Sequence, residues 1–216
     1  GSVSPVDGCI YCIPQSAARV LRIDPATDAC TLVGPPLPGC YKWYGGVVGK
    51  QDNALYGIPH NSPSVLRIHP TEGITLHGDF GEGGHKWHGA GRAASGVIVG
   101  IPANADSVLC ITPASPEPIL TQVGDSDILR ATGRHRLDRK YKFLGAAPGP
   151  DGRVYCFPCA AERVLAVDTA AMTVEEVGPN IYDANLERIC QNKWQNGVFV
   201  DNKTIWGVPL AAESVL

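Results

Sequence analysis

The sequence predicts an all-β fold assembled from repeated four-stranded antiparallel sheets, and three observations predict it. A twelve-residue block recurs five times without a gap, each copy sits inside a longer unit that reads as four short strands, and turn residues punctuate the whole chain. The 25 Gly and 18 Pro are spread along 216 residues in turn-like clusters and do not collect in a tail or linker, which favours many short strands over long helices.

The five blocks are Ile10 to Leu21 (IYCIPQSAARVL), Leu55 to Leu66 (LYGIPHNSPSVL), Ile98 to Leu109 (IVGIPANADSVL), Val154 to Leu165 (VYCFPCAAERVL) and Ile205 to Leu216 (IWGVPLAAESVL). Each places an apolar residue before a Pro and a Val-Leu pair six residues after it, with offsets between copies of 45, 43, 56 and 51 residues. Downstream comes an alternating strand and a turn, such as Arg22-Ile23-Asp24-Pro25 or Ala166-Val167-Asp168-Thr169. Another short strand ending in Gly follows: Thr31 to Gly34, Ile74 to Gly78, Ile119 to Gly124 and Thr173 to Gly178. Upstream of each internal copy is a Lys-aromatic pair, a short strand and a tight turn such as Pro150-Asp151-Gly152 or Asp201-Asn202.

Four short strands in about 45 residues are what a β-propeller blade requires, because one such sheet cannot bury both faces until neighbours stack on it. With strands lettered A to D from the inside out, the first copy supplies B, C and D, the next three all four, and the last A, B and C. The expected repeats are 8–34, 41–80, 85–124, 141–178 and 192–216 of one propeller domain, 1–216, with Gly1-Ser2 read as a tag remnant. Two arrangements accommodate the incomplete first and last blades: closure into five blades, or a piece of a longer propeller.

Composition excludes little and suggests some absences. A net charge of −3 predicts neither general nucleic-acid binding nor attraction to an anionic membrane. No apolar run approaches a membrane span, and the N-terminus lacks the charged start and apolar core of a signal peptide; with the first residues read as a tag remnant, localisation stays open. Eight cysteines at these spacings resemble no small secreted framework and are expected as reduced thiols.

The stretches Arg163 to Gly178 (RVLAVDTAAMTVEEVG) and Arg19 to Gly34 (RVLRIDPATDACTLVG) resemble the YVTN and NHL-like β-propeller repeats, which place an Ile-Asp-Pro or Val-Asp-Thr turn between two strands. The fuller pattern of Lys-Trp, Gly-Gly and Tyr-x-Ile-Pro is similar to repeat proteins of unicellular algae and related protists. The resemblance implies architecture more than activity, since such propellers include scaffolds, ligand binders and a minority of hydrolases and lyases. The turn Asp is His69 in the second copy and Thr112 in the third, so no function needing an Asp in every blade carries over.

The candidate ligand site is the recurrent pair Lys42-Trp43, Lys86-Trp87, Lys142-Phe143 and Lys193-Trp194 at the start of each A strand. If A strands line the channel, four lysines recur around one mouth and suit a carboxylate, phosphate or sulfated sugar; otherwise the aromatics pack blade on blade and the lysines pair with neighbours or stay solvated. The variable D-to-A connections should share that face. One carries His85 and His88; another carries the basic run Arg134, His135, Arg136 and Arg139, a grip for an acidic partner or a solvated charge run.

Metal sites are not expected. His85 and His88, three apart on an extended strand, should point to opposite faces, and Cys12 and Cys156 occupy the strand position held by Gly57, Gly100 and Gly207, so the pairs Cys9/Cys12 and Cys156/Cys159 read as packing residues. Gly89-x-Gly91-x-x-Ala94 has no helix to complete a phosphate loop, and Asn202-Lys203-Thr204 matters as a glycosylation acceptor only in a secreted protein. No cofactor is implied. The leading expectation is a non-enzymatic propeller presenting a loop-rich face and channel mouth to a protein, glycan or small anion. The competitors are a hydrolase or lyase using His85, His88 or His135 as a base, and a module that forms homo-oligomers through open blade edges.

Overall fold

Alternating apolar strands closed by left-handed turn residues set the basic unit, and the computed structural model repeats it along the chain, describing residues 1–124, 127–130, 138 and 140–216. The first sheet has strands β1 (Ser2–Val3), β2 (Ile10–Cys12), β3 (Val20–Asp24) and β4 (Ala29–Val33). The second has β5 (Trp43–Val48), β6 (Leu55–Pro59), β7 (Val65–His69) and β8 (Gly73–His77). The third has β9 (Trp87–Arg92), β10 (Ile98–Pro102), β11 (Val108–Thr112) and β12 (Ile119–Val123), followed by the single turn α1 (Asp127–Arg130). The fourth has β13 (Phe143–Pro148), β14 (Val154–Pro158), β15 (Val164–Asp168) and β16 (Thr173–Val177), and a pair, β17 (Trp194–Val200) and β18 (Thr204–Pro209), ends the series.

Within every sheet sequential strands pair antiparallel, and the innermost strands meet in the order β1, β5, β9, β13, β17. The sheets are therefore blades stacked face to face around their A strands, the expected propeller organisation. Two details correct the expectation. The first blade has an A strand after all, because Ser2 and Val3 pair with Tyr11 and Ile10 and the Ser2 hydroxyl donates to the Gly46 carbonyl at 3.0 Å, so Ser2 belongs to the fold. The last blade has strands A and B, and its C strand is only begun, where Gly207 and Leu216 exchange backbone hydrogen bonds at 2.8 and 3.2 Å.

The core lies between blades. Tyr11 and Val20 of the first blade pack on Leu55, Leu66 and Ile68 of the second. Tyr56, Ile58 and Val65 pack on Ile98, Leu109 and Ile111; Val99, Ile101 and Val108 on Val154, Leu165 and Val167; and Phe157 on Ile205 and Leu216. Because side chains alternate along each strand, one residue set faces the preceding blade and the other the following blade. The aligned register puts Cys12, Gly57, Gly100 and Cys156 opposite Leu21, Leu66, Leu109 and Leu165, where a small side chain is required.

Polar groups inside the stack are satisfied by repeated devices. Asp52 accepts from the Tyr56 hydroxyl at 2.6 Å and from Arg67 at 3.0 Å, with Arg67 reaching on to Glu72, and Asp7–Tyr11 and Asp151–Tyr155 repeat the carboxylate–phenol bond. In the turn after strand C, the Asp168 carboxylate accepts from two backbone N–H groups; His69, the departure noted in the sequence, does the same through Nδ1.

Candidate functional site

The Lys-aromatic pairs are latches between blades. Each lysine N–H donates to the carbonyl just past the Pro of the preceding blade: Lys42 to Gln15, Lys86 to His60, Lys142 to Ala103 and Lys193 to Cys159. Each lysine carbonyl accepts N–H groups from the loop after strand B of its own blade, as Lys42 does from His60, Asn61 and Ser62. The ammonium groups turn inward as well. Lys42 Nζ donates to Ala17 and Gly39 carbonyls, Lys86 Nζ to Gly81 and Gly83, and Lys142 Nζ to Ala105 and to the Asp106 carboxylate. Burial lowers the pKa of Lys42, Lys86 and Lys193. The aromatics Trp43, Trp87, Phe143 and Trp194 are buried, and each indole N–H donates to the carbonyl just before strand C: Ser64, Ser107 and Ser214.

The residue before each lysine takes a left-handed backbone: φ is 52° at Tyr41, 49° at His85, 52° at Tyr141 and 54° at Asn192. Such values are uncommon for side chains as bulky as Tyr and His. Three of these residues are held there by an N–H donated to a side chain of the preceding blade, Tyr41 to Ser16, His85 to Asn61 and Tyr141 to Asn104. The turn re-aims the side chain before the strand begins, which overturns the expectation that His85 and His88 diverge. Both approach His60, with ring centroids 4.3 Å and 5.7 Å away.

His60 enters from the loop after β6, and Tyr44 of β5 stacks on His88 of β9 at 3.6 Å between centroids. Tyr41 lies 6.0 Å from His85, so two tyrosines and three histidines of the second and third blades form one cluster. His60 is only 4 % exposed, and its Nδ1 lies 3.3 Å from the Tyr41 carbonyl, which can only accept. The proton therefore sits on Nδ1 and a lone pair on Nε2. That Nε2 is buried and has no hydrogen-bond partner, alone in this among the described residues. Burial, then the neighbouring His85 and His88, push the His60 pKa down to about 4, and burial lowers that of His88. Both rings are thus neutral at pH 7. No three His, Cys, Asp or Glu side chains among the described residues are set to share a metal ion.

Searches for a matching family and for a matching curated protein found none. Among solved structures, the chain is similar to virginiamycin B lyase from Staphylococcus aureus, solved as a catalytically inactive His-to-Ala variant with quinupristin (TM-score 0.68, 13 % identity, covering 96 % of this chain and 61 % of that one). A streptogramin B lyase structure matches at TM-score 0.69 and 14 % identity, over 99 % of this chain and 62 % of that one. A nidogen/laminin complex matches at 0.55 and 11 %, over 94 % and 70 %. The fold is a β-propeller of four to five blades. This chain spans about three-fifths of the length of the lyases it matches.

Against that repeated frame the cluster is a local departure. The positions of His60, His85 and His88 are Ala103, Tyr141 and Leu144 at the next junction, where with Cys159 they form a small apolar core. The sequence places His85 and His88 in a variable connection between strands, whereas His88 lies within β9; Tyr41, Tyr44 and His60 carry no motif. The signal available for His60 was that the residue after the repeated Pro varies from copy to copy: Gln15, His60, Ala103, Cys159, Leu210. Arg134, His135, Arg136 and Arg139 lie outside the described residues.

Proposed function

We propose that this chain is a non-enzymatic binding propeller whose recognition site is the His–Tyr cluster between its second and third blades, and that its ligand is a carbohydrate. The observation that carries this reading is the buried His60 Nε2, an acceptor with no donor, whose desolvation a ligand hydroxyl would compensate. The stacked Tyr44 and His88 rings add flat apolar surface for the C–H face of a sugar. The half-buried His85 ring lies over His60, so a ligand reaches Nε2 by displacing it. An anionic ligand is less well supported, because the lysine ammonium groups of the first three pairs already serve backbone carbonyls.

A panel of neutral mono- and disaccharides titrated into the labelled protein tests this by NMR. The expected result is that at least one sugar shifts the His60 and His88 imidazole signals and that His60→Gln abolishes the shift. Silence across the panel, or a response only to added phosphate, would overturn the carbohydrate reading.

A lyase is the second reading, favoured by one feature: an imidazole held by a backbone carbonyl with a free Nε2 is the disposition of a general base. A pKa of about 4 counts against it, because a base that weak takes up a proton poorly at neutral pH. Incubation with quinupristin, which the virginiamycin B lyase structure contains, separates the two: conversion of quinupristin that His60→Gln abolishes would put the lyase first.

A further inference from the structure

The four latch lysines differ in one respect, the company their charges keep. Lys142 Nζ lies 3.0 Å from the Asp106 carboxylate. Glu82 and Asp79 lie near enough to Lys86 to favour its charged form, and Glu162 and Glu187 do the same for Lys193. No carboxylate among the described residues does this for Lys42, where the Cys40 thiol is the one titratable group that acts on the ammonium. Lys42 is nevertheless only 4 % exposed. Its Nζ donates to the Ala17 and Gly39 carbonyls at 2.9 and 3.0 Å, which leaves one of three N–H groups, and lies 5.7 Å from the Trp43 ring. Carbonyls and a ring face lessen the cost of burying the charge without neutralising it, and buried cations are normally paired with an anion.

Lys42 lines a cavity of about 410 Å³. Its walls are the second blade and the connections on either side of it: the segment between β4 and β5, the loop after β6, β8, and the segment between β8 and β9. The apolar part is Leu37, Pro38, Trp43, Pro63 and Leu76, with Leu76 50 % exposed. Glu82 also lines the cavity, but it is exposed and its charge acts on Lys86 and not on Lys42. Apolar walls around a charged group, at this volume, have the form of a small-molecule site. In the corresponding cavity of the third blade, over Trp87, Asp106 lies in the wall with Lys86, and Gln122 takes the place of Leu76. In the fourth blade that place is held by Glu176.

We propose that the Lys42 cavity binds a small monocarboxylic acid with an apolar body, its carboxylate on the remaining Lys42 N–H and its body against the apolar walls. The acid supplies to Lys42 the counter-charge that Asp106 supplies to Lys142. A bare inorganic anion would match the charge and leave the walls in water. Lys42 is singled out by its departure from the repeat and not by its repetition, and the acid site is separate from the His–Tyr cluster, so neither reading depends on the other.

Isothermal titration calorimetry on the 216-residue chain at pH 7 tests it, with acetate, butyrate, hexanoate and phenylacetate, each beside its neutral amide. Affinity is expected to rise from acetate to hexanoate and phenylacetate, and each amide to bind at least about tenfold more weakly than its acid, the effect of losing a hydrogen bond between charged groups. Leu76→Glu should abolish binding, because its carboxylate stands in for that of the ligand, and Leu76→Gln should retain it. Both variants keep the fold, since the repeat itself carries Glu176 and Gln122 at that place. Lys42→Met should abolish binding as well, with thermal melting as the check that it is folded. Silence from all four acids would overturn the inference. So would equal binding of acid and amide, the sign of a cavity that is merely apolar, or binding that survives Leu76→Glu.

Discussion

Replacing His60 by Gln should flatten the acid limb of the stability profile. The repeat already carries Gln15 at the equivalent position, so the backbone there accepts Gln. In the folded protein the His60 pKa is about 4 against an ordinary 6.5, because burial and the adjacent His85 and His88 disfavour the imidazolium. The folded state therefore refuses a proton that the unfolded chain takes up below pH 6.5: stability is at its full value above that pH and is lost as pH falls to about 4. At about 1.4 kcal/mol per pKa unit the loss is at most about 3 kcal/mol, and about 2 kcal/mol with screening by water at the rim of the cluster. Carboxylates held below their usual range, including Asp7, Asp151 and Glu187, also lose stability on acidification, but they do so equally in both proteins. Urea unfolding of parent and variant at pH 7 and pH 4 isolates the difference. The variant should lose about 2 kcal/mol less than the parent over that interval. Equal losses would mean that His60 is protonated in the folded state.

Asp52→Ala should cost about 1–3 kcal/mol in urea unfolding, because it leaves the buried Tyr56 hydroxyl without its acceptor and the buried Arg67 guanidinium with Glu72 as its remaining carboxylate. Gly145→Ala should cost well over about 1 kcal/mol, since Gly145 has φ of 84° in the bulge of β13 and an added Cβ would collide with the Asn196 backbone of the next blade. The triple variant His60→Ala/His85→Tyr/His88→Leu copies the apolar junction of the third and fourth blades. It should raise stability at pH 7 by about 1–2 kcal/mol by removing a buried acceptor without a donor, while ending sugar binding in the NMR titration.

The blades were legible because each strand is specified locally: the Pro, the Val-Leu pair and the turn residues recur at fixed offsets, and alternation then decides which residues face which neighbour. The short A strand of the first blade was missed because Ser2 and Val3 belong to a strand only through pairing with Ile10 and Tyr11, and two residues carry no period. The site was missed for a different reason. Tyr41 and His85 sit at left-handed positions that a sequence would normally announce with Gly or Asn, and there the chain holds them by hydrogen bonds to Ser16 and Asn61 of the preceding blade. His60 meets His85 and His88 across a blade junction, a neighbourhood that exists only once Lys86 has latched onto the His60 carbonyl.

That latch also explains how one junction can differ so much from the next without loss of the fold. The lysine N–H joins each blade to the preceding one through a backbone carbonyl, while the lysine carbonyl and the indole N–H bond backbone groups of their own blade, so the connection does not depend on which side chains flank it. The residue before the lysine, the residue after the aromatic and the residue after the Pro are thereby released to vary: Tyr41, His85, Tyr141, Asn192; Tyr44, His88, Leu144, Gln195; and Gln15, His60, Ala103, Cys159, Leu210. At one junction these positions make a small apolar core, and at another they gather three imidazoles and a stacked tyrosine. A buried acceptor without a donor destabilises the junction that holds it. Its presence where the same frame elsewhere accepts Ala, Tyr and Leu is the physical reason for placing recognition at this junction and not along the repeated lysines.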